Sequence, residues 1–375
     1  MRIAVNTQLL LKDKLEGLGW FTYETLKRIT CNHPEHEFVF IFDRPWHDEF
    51  IFANNIIPVK TCLPSRHPAL YYLRFEHIIP KILKKYRADA FLSPDGWSTL
   101  KTDIKKITVI HDIGFVHTPR QIPLTYHLYL NYYFPKFAQD ADQLATVSNY
   151  SKNDIVNTWN IPKEKVEVIY NGSNELYVPI QQETKTKIRK ILTRGHPYFI
   201  YVGAINSRKN IENMLHAFEN FKFKTSLPHK LVIVGDKMWK DSTIDKTSEN
   251  LSYKNDIIFT GRLAPEKLHH VLASAQALLL VSFLEGFGIP LIEAMKCDVP
   301  VITSNITAMP EIVGNAGLLV NPKSIESISN GMTKMALDKA FRQKLIENGR
   351  NQHQLFTWDK TANALWDLIN QTLQP

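Results

Sequence analysis

At 375 residues the chain is long for a single hydrophobic core and suits two domains. Its 44% hydrophobic and 22% charged residues are ordinary for a soluble globular protein, and no apolar run reaches the ~18–20 residues that would span a membrane. A formal net charge of +8 would admit nucleic acid, an anionic membrane face or an anionic substrate as partner, but the basic residues are scattered and form no nucleic-acid motif. Three cysteines, Cys31, Cys62 and Cys297, are odd in number and widely spaced. They predict neither a disulfide framework nor a zinc site and fit a reducing, cytoplasmic location.

Arg2–Asn6 reads as a first strand, and its position at the very start predicts no signal peptide. Gly17-Leu18-Gly19 precedes an amphipathic run over 20–29, giving strand, glycine loop and helix. Further strands are expected at 37–43, 56–62, 89–93 and 106–110, the last closing on His111-Asp112. A helix is expected over 68–86 and an aromatic-rich one over 126–137, whose rings recur at every phase. Such rings suit packing against a partner domain, with a lipid-like ligand as the other reading. A strand at 142–147, a helix capped by Ser148 and a strand at 166–170 complete the half, which closes on the turn pair Asn171-Gly172. Strands alternating with helices mean βαβ units and a doubly wound α/β sheet.

The pattern breaks over 173–196, read as a linker holding a charged helix at 183–192. The alternation then restarts through 197–355, with strands at 198–202, 230–234, 257–260, 277–281 and 300–303. Their ends run into Gly203, Gly235-Asp236, Gly261-Arg262 and Ser304. An amphipathic tail helix within 356–375 is expected to cross back to the first domain.

The run 277–281 leads into Glu285-Gly286-Phe287-Gly288-Ile289-Pro290-Leu291-Ile292-Glu293. It is short enough for a buried parallel strand, two glycines open the backbone, and Pro290 suits the first helical position. Such a junction lies at the carboxyl edge of a parallel sheet, where free N–H groups and the helix dipole favour an anion. Glu285, expected at the strand end, and Glu293, expected in the first helical turn, suit hydroxyl groups, since a carboxylate offers only acceptors. Arg208-Lys209 stands between a strand end and a helix, where two cations would hold a diphosphate and stabilise the charge of a departing nucleotide. His111 could bond a sugar hydroxyl, handle a proton or simply satisfy backbone. A glycosidase pair is rejected because Glu285 and Glu293 flank a phosphate-type loop. A dinucleotide dehydrogenase is rejected because no G-x-G-x-x-G follows the first strand.

Together, Gly17-Leu18-Gly19, His111-Asp112, Val202-Gly203 with Arg208-Lys209-Asn210, Gly261-Arg262-Leu263 and the Glu285–Glu293 block resemble the family-4 glycosyltransferases. The resemblance covers nearly the whole chain. It implies a GT-B fold, two Rossmann-like doubly wound domains facing across a cleft, and retaining transfer from a nucleotide-diphosphate sugar. That sugar is a substrate, so no cofactor and no metal are implied. Arg208 and Lys209 would hold the diphosphate, Glu293 the ribose and Glu285 the donor sugar. The amides of Gly286, Phe287, Gly288 and Ile289 would lie near sugar and phosphate. Gly17 or Gly19 would approach the phosphate from the first domain, His111 would bind the transferred sugar, and Gly261-Arg262-Leu263 would lie by the base. Trp20 departs from the Arg many members carry after the glycine loop, which puts an acceptor contact there in doubt.

The sub-pattern His111-Asp112-Ile113-Gly114-Phe115 is similar to members that build bacterial surface polysaccharides, mannosyltransferases included. A hexose from GDP-mannose or a UDP-sugar and a glycan or lipid-linked acceptor follow, with weak peripheral contact to an anionic membrane face. A sugar-nucleotide epimerase, a glycan phosphorylase and a non-catalytic sugar-nucleotide sensor stay open as alternatives.

Overall fold

The computed structural model describes residues 1–62, 67–119, 122–236 and 242–374. The chain folds as two units, Met1–Gly172 together with Thr357–Pro375, and Ser173–Phe356.

The first unit is built on seven parallel strands: β1 (Arg2–Asn6), β2 (Glu37–Phe42), β3 (Ile56–Lys60), β4 (Ala90–Ser93), β5 (Lys105–Val109), β6 (Gln143–Thr146) and β7 (Val166–Val168). Their order is β3-β2-β1-β4-β5-β6-β7. Runs such as Phe38-Val39-Phe40-Ile41-Phe42 are buried at every position, because helices cover both faces of a parallel sheet. The order reverses between β1 and β4, which opens a crevice at their carboxyl ends. The helix Gly17–Asn32 starts at the first glycine, so Gly17 and Gly19 occupy its first turn and not a preceding loop.

The helix expected over 68–86 is broken into Pro68–Leu73, a widened turn Arg74–Ile78, and Ile79–Tyr86. Pro80 has no N–H to give the preceding turn, so the ladder opens just ahead of it. That turn delivers the fully buried Arg74 to the switch-point crevice. Its guanidinium donates to Gln8 Oε1 (3.0 Å), Asn6 Oδ1 (3.1 Å) and the Ile41 carbonyl (3.2 Å).

The second unit repeats the plan with β8 (Tyr198–Val202), β9 (Lys230–Val234), β10 (Ile257–Gly261), β11 (Ala277–Leu280), β12 (Val301–Ser304) and β13 (Gly317–Val320). The order is β10-β9-β8-β11-β12-β13, again all parallel, with the reversal between β8 and β11. Strand β13 has no counterpart in the sequence reading. The segment 173–196 is part of this unit, not a free linker. Its helix Gln182–Thr193 is anchored by Arg189, whose Nε donates to the Ser274 carbonyl at 2.8 Å.

The tail helix Trp358–Leu373 packs in the first unit against Gly17–Asn32. Arg28 Nε meets Asp359 at 2.5 Å, Thr361 Oγ1 donates to the Tyr170 carbonyl at 2.7 Å, and Trp366 stacks on His33 at 3.9 Å. A Cβ on Gly172 would lie 2.3 Å from the Trp358 nitrogen, so the two chain segments touch through bare backbone.

Candidate active site

In the second unit the loops following the strands are tied to one another. Gly203 N donates to the Val234 carbonyl (3.0 Å), Ile205 N to that of Asp236 (2.9 Å) and Gly235 N to that of Gly261 (3.1 Å). A Cβ on Gly235, whose φ is +145°, would sit 1.9 Å from the Gly203 carbonyl oxygen, so glycine is what lets these loops pass. Asp236 Oδ1 accepts from the Arg262 amide at 3.2 Å, which fixes the Gly261-Arg262-Leu263 turn beside β10.

After β8 the chain makes one 3₁₀ turn, Ser207–Lys209, started by Asn206, whose Oδ1 accepts from the Lys209 amide (3.3 Å). Buried Asn210, at φ +60°, donates from Nδ2 to the Val281 (2.9 Å) and Pro322 (2.8 Å) carbonyls. Phe283 N donates to the Arg208 carbonyl at 2.9 Å. The Arg208-Lys209 turn is thereby bolted to the residues that follow β11, and this sets the central contact of the site. Lys209 Nζ lies 2.6 Å from Glu285 Oε1, which also accepts from Ser282 Oγ at 2.8 Å.

Strand β11 ends at Leu280, so Glu285 stands in the loop and not at the strand end. It is buried, which alone would raise its pKa, but Lys209 and Arg208 outweigh burial and hold it below the usual carboxylate range. Gly286 and Phe287 are buried, and Phe287 packs edge-on against Phe356 at 5.7 Å, so any ligand contact there falls to backbone amides. Gly288, at φ +96°, turns the chain into the helix Ile289–Lys296.

Glu293 is that helix's fifth residue and lies in its second turn, not its first. Partly buried, it accepts a hydrogen bond from Tyr177, and burial pushes its pKa up to about 8 against smaller opposing effects of Lys296 and Tyr177. Tyr177 and Ser282 were not singled out from sequence. Tyr177 reaches Glu293 across a long separation that local pattern does not encode, whereas Ser282 lies three residues before Glu285, inside the loop already singled out.

In the first unit His111 follows β5. Its Nε2 lies 2.9 Å from the Pro94 carbonyl, and the Phe21 ring meets it edge-on at 4.8 Å. A carbonyl can only accept, so Nε2 carries the proton and Nδ1 is left as an acceptor. Burial lowers the His111 pKa against the Pro94 bond and the charge of Asp112, which keeps the ring neutral. Gly17 is exposed and Gly19 buried, in a first turn whose N-cap Glu16 makes no side-chain cap. The first-turn amides therefore have no side-chain acceptor from the cap residue.

A second polar cluster at the β1/β4 crevice escaped the sequence reading. Buried Asp95 accepts from Asn6 Nδ2 (2.9 Å), Gln8 Nε2 (2.6 Å) and Ser93 Oγ (3.1 Å), and Arg74 donates to the same Asn6 and Gln8. The signal was there: Asn6 closes the otherwise apolar β1, and Asp95 stands in the turn two residues after β4.

Two Rossmann-like sheets, one carrying cations and glycine turns at its switch point, define a protein of the GT-B class. Residues 20–175 match the family model described as Glycosyltransferase Family 4, and residues 183–352 the one described as Glycosyl transferases group 1. The chain belongs to this family of glycosyltransferases. It is 26% identical over 381 residues to O-antigen chain mannosyltransferase B of Escherichia coli, covering 97% of this chain and 99% of that protein. It is 31% identical over 273 residues to O-antigen chain mannosyltransferase RfbU of Salmonella typhimurium, covering 73% and 72%. Among solved structures, Anabaena Alr3699/HepE in complex with UDP and glucose superposes with a TM-score of 0.78 at 15% identity, covering 99% of this chain and all of that one.

Proposed function

We propose that this glycosyltransferase moves a hexosyl group, mannosyl first among the candidates, from a nucleotide-diphosphate sugar to a glycan or lipid-linked acceptor, with retention at the anomeric carbon. The observation that carries this reading is the Lys209–Glu285 pair at the β8/β11 switch point, with Arg208 beside it. Cations and a carboxylate at one crevice suit a ligand that is anionic at one end and hydroxylated at the other. The two O-antigen mannosyltransferase relatives support mannose and a surface-polysaccharide acceptor.

In this reading Arg208 and Lys209 hold the diphosphate and offset the charge that grows on it, work done by a metal ion in other sites. Glu285 accepts from hydroxyls of the donor sugar, the amides of Gly286 to Ile289 approach sugar and phosphate, and Glu293 serves the ribose. Gly203 gives the diphosphate room, Gly261-Arg262-Leu263 flanks the base, and the first-turn amide of Gly17 or Gly19 meets phosphate. His111 takes a hydroxyl of the transferred sugar on Nδ1. The bond from the anomeric carbon to the diphosphate oxygen breaks as the acceptor oxygen bonds on the same face. The acceptor proton passes to the departing phosphate oxygen, so no protein base is needed.

The test is calorimetric titration of UDP, GDP and ADP, with and without magnesium, into the protein and its Arg208→Ala variant. It is paired with the anomeric configuration of the product by NMR. Tight binding of one nucleotide without magnesium, lost in the variant, and a product of the donor's configuration are expected. No binding of any of the three, or an inverted product, would overturn the reading.

A further inference from the structure

Strands β11 and β12 pair as far as Leu280 and Thr303, and from there side-chain hydroxyls tie the two chains together. Thr303 Oγ1 donates to the Leu280 carbonyl at 2.8 Å, and Ser304 Oγ to the Ser282 carbonyl at 2.7 Å. Ser282, held in this way, is fully buried. Its hydroxyl proton goes to Glu285 Oε1 at 2.8 Å.

A glutamate side chain turns about several bonds, and left to itself its carboxylate is spread over many orientations. Here both bonds to the carboxylate fall on one oxygen. Oε1 accepts from Ser282 Oγ and, at 2.6 Å, from Lys209 Nζ, while Oε2 takes a bond from none of the described residues. The backbone is clasped as well. Glu285 N donates to Thr307 Oγ1, and Ala308 N to the Glu285 carbonyl, both at 3.4 Å. Thr307 stands at φ +61°, a left-handed conformation that a β-branched side chain rarely adopts. The loop after β12 therefore carries strain where it meets Glu285, and such strain persists where surrounding contacts over-determine the backbone.

We propose that Ser282 is a positioning residue of the transfer reaction: with Lys209 it pins Oε1 of Glu285 and leaves Oε2 as the oxygen that accepts from a hydroxyl of the donor sugar. Being fully buried, Ser282 meets no ligand and acts through the carboxylate. An ammonium has more than one N–H, so the Lys209 bond to Oε1 leaves donors for the diphosphate. A carboxylate fixed before the donor arrives gives up no rotamer freedom on binding, as a preorganised contact to a transition state requires. The assignment rests on the reading of Glu285 as the carboxylate of the donor sugar, to which it adds the atom used and the residue that aims it.

The experiment is release of nucleotide from GDP-mannose and UDP-glucose across the pH range, with water as acceptor, by wild type and Ser282→Ala. Calorimetry of GDP and UDP and thermal melts accompany it. Ser282→Ala should turn over about ten- to a hundredfold more slowly, the range of one hydrogen bond to a charged group, with nucleoside diphosphate affinity as in wild type. Burial raises the Glu285 pKa, and the Ser282 bond adds to Lys209 and Arg208 in holding it down. Without that bond the acid limb of turnover should move to higher pH. Lys209, Arg208 and the Tyr201 phenol, the ionisable groups facing the carboxylate, are the same in both proteins. Should Ser282→Ala fail to fold, Ser282→Cys, similar in size but a weak donor, carries the test with the same expected directions. Unchanged turnover, or a lower melting temperature with an unmoved acid limb, overturns the role of Ser282 and leaves the donor reading standing. A wild type that neither binds a nucleotide nor releases one from either donor overturns the donor reading, and the role of Ser282 falls with it.

Discussion

Lys209 and Glu285, seventy-six positions apart, meet at 2.6 Å because Asn210 and Phe283 lock their two loops together from behind. The pair is mostly buried, so its halves depend on one another. Lys209→Ala should cost about 2–3 kcal/mol, because the carboxylate left behind keeps its desolvation penalty and loses its nearest cation. Chemical denaturation of Lys209→Met, Glu285→Gln and the Lys209→Met/Glu285→Gln double variant measures the coupling. A strictly additive cycle would show that the contact contributes nothing.

Glu285→Gln keeps the shape of the loop and removes the acceptor charge. Turnover should fall about 10²–10³-fold, the range seen when one polar contact to a transition state is deleted, while nucleoside diphosphate binding changes little. Steady-state kinetics beside calorimetry separates the two. Equal losses in affinity and turnover would show that Glu285 acts by positioning Lys209 and not on the sugar.

Glu293 makes a prediction in pH. Burial raises its folded pKa to about 8 from an ordinary 4.5, so between these values the folded chain binds more protons than the unfolded one. Its contribution to stability therefore declines as pH rises from about 4.5 to about 8 and is level above that. Glu293→Gln should flatten this slope and raise the melting temperature at pH 8 by a few degrees, while weakening nucleotide binding. Thermal melts across the pH range check it, and an unchanged slope would place the proton elsewhere.

His111 runs the other way. Its folded pKa lies below the ordinary 6.5, so its contribution to stability is present above 6.5 and lost as pH falls through the folded value. At neutral pH the ring is uncharged, so wild-type turnover should show no step at 6.5 from His111. The His111→Ala variant should lose turnover and keep nucleotide affinity. Wild-type turnover in His111→Ala would remove the residue from the site.

Gly235→Ala should cost at least about 2 kcal/mol, since the new methyl would collide with the Gly203 carbonyl oxygen and the backbone is left-handed. Because that carbonyl belongs to the loop leading to Arg208, nucleotide affinity should fall along with the melting temperature. Gly195→Ala is the control: its methyl meets nothing within 4 Å, so only the strain of its positive φ remains.

The strands were legible where apolar runs ended in glycine, as at Val202-Gly203 and Val234-Gly235, because period and punctuation agree there. Gly317–Val320 was not, since this half-exposed edge strand opens on a glycine and is only four residues long. Lys209 and Glu285 could be named from their loops, but not their meeting, which follows from the bonds that Asn210 and Phe283 make between the two loops, over seventy positions apart. Arg74 shows the limit most plainly. A cation in an amphipathic stretch reads as solvated, and only Asn6, Gln8 and Ile41, brought together by the sheet, make its burial tolerable.

The backbone contact between Gly172 and Trp358 has an architectural consequence. The residues on either side of the whole stretch 173–356 are neighbours, so in chain terms the second unit is a cassette plugged into the first at a single point. A cassette with adjacent ends can be exchanged without lengthening or threading its host. An exchange of residues 173–356 would therefore leave the seven-stranded unit, tail helix included, as one piece.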